Sequence, residues 1–220
     1  MSLYYATDEL LADASALGSI SQNAFTEDIQ WMADDAIMNG SGVGQPLGWM
    51  NGGAMVSVAK EGSQAADTIL AENLNAMWAR LHPRSRKSAI WLYNADCQPE
   101  LDNLFYSVKN AAGSDNVGGF RSAVYNSDQS TIKGRPAIAH ESCATIGDTG
   151  DILLVDPAAY VTIDKGGIQS ASSMHVQFLT DEMTFRFTYR LDGQPMQHTA
   201  LTPANGSNTL STYLKLDARA

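Results

Sequence analysis

The longest periodic run in the chain constrains most strongly what the rest can fold into. From about residue 16 to residue 39, Leu17, Ile20, Ala24, Phe25, Ile29, Met32 and Ala36 recur at threes and fours. Glu27, Asp28, Asp34 and Asp35 fall off that stripe. The spacing predicts one amphipathic helix of about 35 Å, roughly twice the usual length in a compact domain. Asn39-Gly40 supplies the stop, because glycine accepts the left-handed backbone that ends a helix. A helix of that length implies an elongated body.

Around this helix the pattern predicts an α+β fold. Thr7-Asp8-Glu9 reads as a capped helical turn with carboxylates where the helix dipole favours them. A second helix is expected over 64–81, with Ile69, Leu70, Leu74, Met77, Trp78 and Leu81 inward and Ser63 as its cap. Pro99 opens a third through about Val108. Strands are expected at 88–93, 122–125, 137–140, 152–155, 160–163, 174–178 and 212–216. In a further strand Met183, Phe185, Phe187, Tyr189 and Leu191 share one face, and Thr184, Arg186, Thr188 and Arg190 the other. Helices first and strands later, with one strand buried between helices, is an α+β order.

Charge is segregated. Residues 1–59 carry seven acids (Asp8, Glu9, Asp13, Glu27, Asp28, Asp34, Asp35) and no lysine or arginine. The densest basic run, Arg80-Leu81-His82-Pro83-Arg84-Ser85-Arg86-Lys87, follows the second helix. Two solvated faces would give this pattern, and so would complementary surfaces on neighbouring copies of one protein. The net charge of −10 argues against sequence-independent DNA binding, which needs a dense cationic surface. No apolar stretch is long enough to span a membrane, and no basic stretch followed by an apolar one opens the chain. With 17 % charged and 44 % hydrophobic residues, the composition is that of a folded globular protein.

No constellation for catalysis emerges. Gly40, Gly42, Gly44 and Gly48 invite a phosphate-loop reading. Such a loop follows a strand and opens a helix, however, whereas this one follows a helix and meets Pro46. A tight connection with positive φ angles is the better reading. The histidines (His82, His140, His175, His198) make no metal-ligand spacing. Cys97 and Cys143 match no metal or redox motif and read as buried, reduced thiols. His140-Glu141-Ser142-Cys143 would set His and Cys on opposite faces of a strand, which is poor geometry for an activated thiolate. Asp34 and Asp35 point roughly 100° apart on a helix and do not act as one carboxylate pair. No catalytic residue, cofactor or metal is expected.

The order of these features resembles the tailed-bacteriophage (prophage) major capsid protein family, the Hong Kong phage type of shell subunit. A strand precedes Asp8-Glu9-Leu10-Leu11. A long acidic helix ends at Asp35-Ala36-Ile37-Met38-Asn39-Gly40-Ser41-Gly42, and Pro46 and Gly48 follow. Gly134-Arg135-Pro136, Gly150-Asp151-Ile152-Leu153-Leu154-Val155, Ala159-Tyr160-Val161 and Gly167-Ile168 are similar to the family's sheet region. Val176-Gln177-Phe178, Asp181-Glu182-Met183 and Arg190-Leu191-Asp192-Gly193 are similar to its late strands.

The resemblance implies a phage capsid-type fold. Its peripheral domain (1–50 and 160–220) would hold the long spine helix and a β-sheet. Its α/β axial domain (51–159) would have a tip within 113–128 that meets its copies at the centre of pentamers and hexamers. It implies a non-enzymatic virion protein, assembled in the bacterial host cytoplasm, that encloses the genome. Its partners would be copies of itself and, in the full-length protein, a scaffold, a maturation protease and a portal; no specific nucleic acid and no membrane is implied. Asp28, Asp34, Asp35, Arg80, Arg84, Arg86, Lys87, Asp115 and Asn116 are the candidate subunit-contact residues. Family members begin with an arm and an extended loop that this chain does not show. A truncated fragment with Met1-Ser2-Leu3 as an added leader is therefore expected. Some relatives cross-link through a lysine, an asparagine and a glutamate. The last two positions fall near Asp181 and Thr188, so no catalytic residue is carried over. An encapsulin-type compartment shell, and an α+β enzyme or ligand-binding protein, are the alternatives.

Overall fold

A computed structural model describes residues 1–13, 17–109, 116–121 and 124–219. The chain forms two compact units, Met1–Gly48 with Thr162–Gln194, and Trp49–Val161 with Pro195–Ala220.

In the first unit, strand β1 (Ser2–Thr7) leads into a short helix α1 (Asp8–Asp13) and then the long helix α2 (Leu17–Asn39). Ser2 and Leu3, read from sequence as an added leader, open β1, opposite Phe187 and Arg186. Strands β11 (Gln169–Gln177) and β12 (Glu182–Thr188) complete an antiparallel sheet in the order β1-β12-β11. The ring of Phe25 on α2 stacks on Phe187 at 4.7 Å and meets Tyr4 edge-on at 6.1 Å, and Tyr4 contacts Phe185 at 5.8 Å. Of the face expected to run from Met183 to Leu191, Phe187 packs on the long helix and Phe185 reaches it through Tyr4; the strand stops at Thr188, so Tyr189 lies beyond it and Leu191 opens the separate strand Leu191–Pro195. Phe187 is buried, whereas Phe185 and Met183 are half-buried.

The helix turns differently from its sequence stripe. Ile29 and Met38 are buried and Phe25 and Ala36 half-buried, but Ile20, Ala24 and Met32 face solvent, as does Trp31. The aromatic patch of a three-stranded sheet covers only part of a 23-residue helix, so the remaining apolar side chains stay uncovered within this unit.

The loop after α2 doubles back on itself. Gly48 N–H donates to the Gly40 carbonyl at 2.8 Å, and Gly42 N–H to that of Pro46 at 3.2 Å. A Cβ on Gly48 would stand 2.4 Å from the Met38 carbonyl oxygen, and one on Gly40 would stand 2.2 Å from that of Pro46. Gly40 and Gly48 serve close backbone approach, and Gly42 and Gly44 carry the positive φ angles expected of the loop, 78° and 70°; Gly40, expected as a left-handed helix stop, does not take that backbone.

The second unit is built on a seven-stranded mixed sheet. Its strands are β2 (Val56–Val58), β3 (Ile90–Tyr93), β6 (Tyr125–Asn126), β7 (Thr131–Ile132), β8 (Arg135–Ala139), β9 (Ile152–Val155) and β14 (Tyr213–Leu216), in the order β2-β14-β9-β3-β8-β7-β6. Helix α3 (Ala71–Arg80) packs Leu74 and Met77, with Leu81 just beyond it, onto Trp91, Leu154 and Leu214. A two-stranded ribbon, β4 (Phe105–Lys109) with β5 (Asn116–Arg121), completes the strands of this unit; a second ribbon, β10 (Tyr160–Asp164) with β13 (Leu191–Pro195), is made mostly of residues of the first.

Three sequence expectations change here. The helix expected over 64–81 starts only at Ala71. Ser63 and Asp67 have φ of 61° and 54°, and the Asn73 side chain accepts from Leu70 N–H at 3.0 Å while pairing with the Gln64 amide. This local bonding gives the backbone an alternative to an earlier helical start. The helix opened by Pro99 is the short α4 (Gln98–Asp102), because the β-favouring Phe105-Tyr106-Ser107-Val108 run pairs with β5. The segment 195–220, expected with the first unit, belongs to the second, because β14 lies between β2 and β9.

Candidate functional site

Two features outside the packed core carry charge, and one inside it does. On the long helix, Asp28 and Asp34 are exposed and Asp35 half-buried. Asp28 accepts from Ser2 Oγ at 3.3 Å, and Asp35 accepts from Asn39 Nδ2 at 2.9 Å. In the second unit a 3₁₀ turn, Pro83–Lys87, follows α3 and holds Arg84, Arg86 and Lys87 on its exposed side, with Ser85 buried beneath. Pro83 suits the first helical position, and cations suit the C-terminal end of the preceding helix. The Arg86 guanidinium lies 5.6 Å from the centre of the Trp78 ring, a cation–π contact that orients it.

Arg80 plays another part. Its Nε and Nη1 donate to the carbonyls of Thr209 and Ser57, each at 3.1 Å, and its Nη2 donates to Thr209 Oγ1 at 2.5 Å. It ties the end of α3 to two other segments of its own unit and is committed there. Asp115 lies outside the described residues, and Asn116 opens β5. Parts of the expected tip, 113–128, are likewise outside them.

The internal charged group was missed in the sequence. Arg219 and Asp151, both fully buried, form an ion pair; Arg219 Nη1 reaches Asp151 Oδ1 at 3.2 Å, and Nη2 pairs with Oδ2. Arg219 Nε donates to the Thr68 carbonyl at 2.6 Å, and Gly147 N–H donates to Asp151 Oδ2 at 3.1 Å. The Cys97 thiol points at the same carboxylate, with Sγ 3.8 Å from Oδ2. The available signal was a lone acid opening the wholly apolar run 152–155.

Neither cysteine has the setting of a nucleophile. Loss of solvation, then the Asp151 carboxylate, pushes the Cys97 and Cys143 thiols up to about 12. The His140 stretch is a turn rather than the expected strand end, since β8 stops at Ala139. There His140 Nδ1 accepts from Ser142 N–H at 3.2 Å, which occupies the nitrogen a base would need. Among the described residues no group of three His, Cys, Asp or Glu side chains is placed to hold a metal ion.

The chain thus sets a long helix on a small antiparallel sheet and passes three times between that unit and one built on a mixed sheet with its own helices. Aligned on the capsid of an empty GTA particle computed with C5 symmetry, the chain matches at a TM-score of 0.69 and 16 % identity, covering 100 % of this chain and 72 % of that one. Mycobacterium phage Bobi matches at 0.61 and 13 % identity, covering 98 % and 70 %. The satellite phage P4 procapsid that includes the size determination (Sid) protein matches at 0.51 and 10 %, covering 99 % and 75 %. No curated protein sequence matches the chain.

Residues 1–206 match the family model described as the phage capsid family, and the chain belongs to that family. It is a structural subunit of a phage-type capsid, and its place is the virion shell. Neither the encapsulin-type compartment nor an enzyme or ligand-binding protein draws support from these matches.

Proposed function

We propose that the chain assembles with copies of itself into pentamers and hexamers that close an icosahedral shell around a phage genome. The observation that carries this reading is a family match over residues 1–206 together with a fold shared with the capsid of an empty GTA particle computed with C5 symmetry. In this reading the unit built on α2 is the peripheral domain and the unit built on the seven-stranded sheet is the axial domain. The region 113–128 is the tip that meets its copies on the symmetry axis. The subunit is assembled in the bacterial host cytoplasm and does no turnover chemistry. The P4 procapsid neighbour, which includes a size determination protein, supports scaffold-like partners, and a maturation protease and a portal complete the set. The exposed carboxylates of Asp28 and Asp34 and the cations of Arg84, Arg86 and Lys87 are contacts between copies.

Negative-stain electron microscopy of the gene product purified from bacterial cells tests the reading. Closed shells, or pentameric and hexameric rings, are expected. A product that stays monomeric at every concentration and salt would overturn it.

A further inference from the structure

At the N-terminal end of α3 lies a groove of about 570 Å³ in the second unit. Its apolar floor is Ile69 and Leu104, both buried, with Leu70 at the mouth. Its rim carries Glu61, Glu72 and Glu100 and no lysine or arginine. Lys60 adjoins Glu61 in sequence but does not line it. At the other end of the same helix stands the Pro83–Lys87 turn with three cations. Among the described residues no carboxylate comes within 4.0 Å of Arg84, Arg86 or Lys87. The ten residues of α3 hold the two features about 15 Å apart on one rigid element.

We infer that the groove between Glu61, Glu72 and Glu100 receives the Pro83–Lys87 turn of a second copy of this chain. The inference rests on the shell-subunit reading and names which surfaces of that subunit meet. Acceptor and donor are different patches of one unit, so the contact is head-to-tail, and a head-to-tail contact whose rotation closes makes a ring. The charges fit: three carboxylates around an apolar floor face three cations, one already oriented on Trp78. Among the described residues no ion pair within 4.0 Å joins either set to a group of opposite sign, which leaves both charges available to another copy. Like charges also oppose the wrong orientations, turn against turn or groove against groove.

The test is a set of charge reversals in the whole chain, read by native mass spectrometry and sedimentation, with circular dichroism and thermal melting as controls of folding. Arg84→Glu with Arg86→Glu, and separately Glu72→Lys with Glu100→Lys, should each raise the concentration needed for ring formation by about tenfold or more. The variant carrying all four changes should recover it, since the contact is restored with its sign inverted. An equimolar mixture of the two double variants should restore even-membered rings alone, because the two must alternate around the ring. Zero-length carbodiimide coupling of isotope-mixed wild-type chains should join Lys87 to Glu61, Glu72 or Glu100 of another copy.

Rings that form in the wild type but show no recovery in the fourfold variant would overturn the inference while the shell reading stands. So would coupling of Lys87 to Asp28 or Asp34, which would make the long helix the acceptor. Wild-type chains that never associate would overturn both.

Discussion

Arg219 shows how much one side chain near the end of a sequence can hold. Its guanidinium is fully buried and answers the Asp151 carboxylate, which otherwise has one backbone N–H and a thiol for company. Removing one member of such a pair strands the other without solvent. Arg219→Ala should therefore cost about 3–5 kcal/mol, whereas replacing both members by apolar residues of similar volume should cost far less; urea unfolding measures the difference. The two thiols give a second prediction at this scale. Burial raises Cys97 and Cys143 from 9.0 to about 12 in the folded chain, so the folded state holds on to protons that the unfolded state releases. Their contribution to stability is complete below about pH 9 and is lost as the pH climbs toward about 12. Stability should fall across that window, less steeply in Cys97→Ala, and a thiol reagent at pH 8 should label the native chain far more slowly than the unfolded one.

At the scale of elements, the aromatic seam between α2 and β12 sets the rank order of damage. Phe187 is buried and stacked on Phe25, so Phe187→Ala should cost about 3–5 kcal/mol. Phe185, half-buried against Tyr4, should cost about half as much. A double-mutant cycle on Phe25 and Phe187 should return a coupling of about 0.5–1.5 kcal/mol, and a coupling near zero would mean the ring contact is incidental. These elements were legible because their periods are long: 23 residues of helix and the alternation along β12 leave little room for another reading. What stayed hidden depends on distant partners. Residues 105–108 read as helical until β5 gave them a strand to pair with, and the start of α3 is decided by an amide pair between Gln64 and Asn73. The basic turn was visible as a run of charge. The groove at the other end of α3 was not, since Glu61, Glu72 and Glu100 come together only through the fold.

For the whole molecule, association should respond to salt. Raising the ionic strength from about 0.01 M to about 0.15 M shortens the screening length from about 30 Å to about 8 Å. Self-association of the wild-type chain, followed by light scattering, should weaken over that range, and Arg84→Glu with Arg86→Glu should flatten the response. An unchanged salt profile in that variant would remove the turn from the contact. The position of β14 bears on when such contacts become available at all. Tyr213–Leu216 lies inside the seven-stranded sheet, hydrogen-bonded to β2 on one side and β9 on the other, although β2 is made more than a hundred and fifty residues earlier. A ribosome delivering the chain from its N-terminus must therefore release residues 213–216 before the sheet can close. Until then the edges of β2 and β9 that β14 will cover stay open, and each is a template on which a neighbouring nascent subunit can pair in the wrong place.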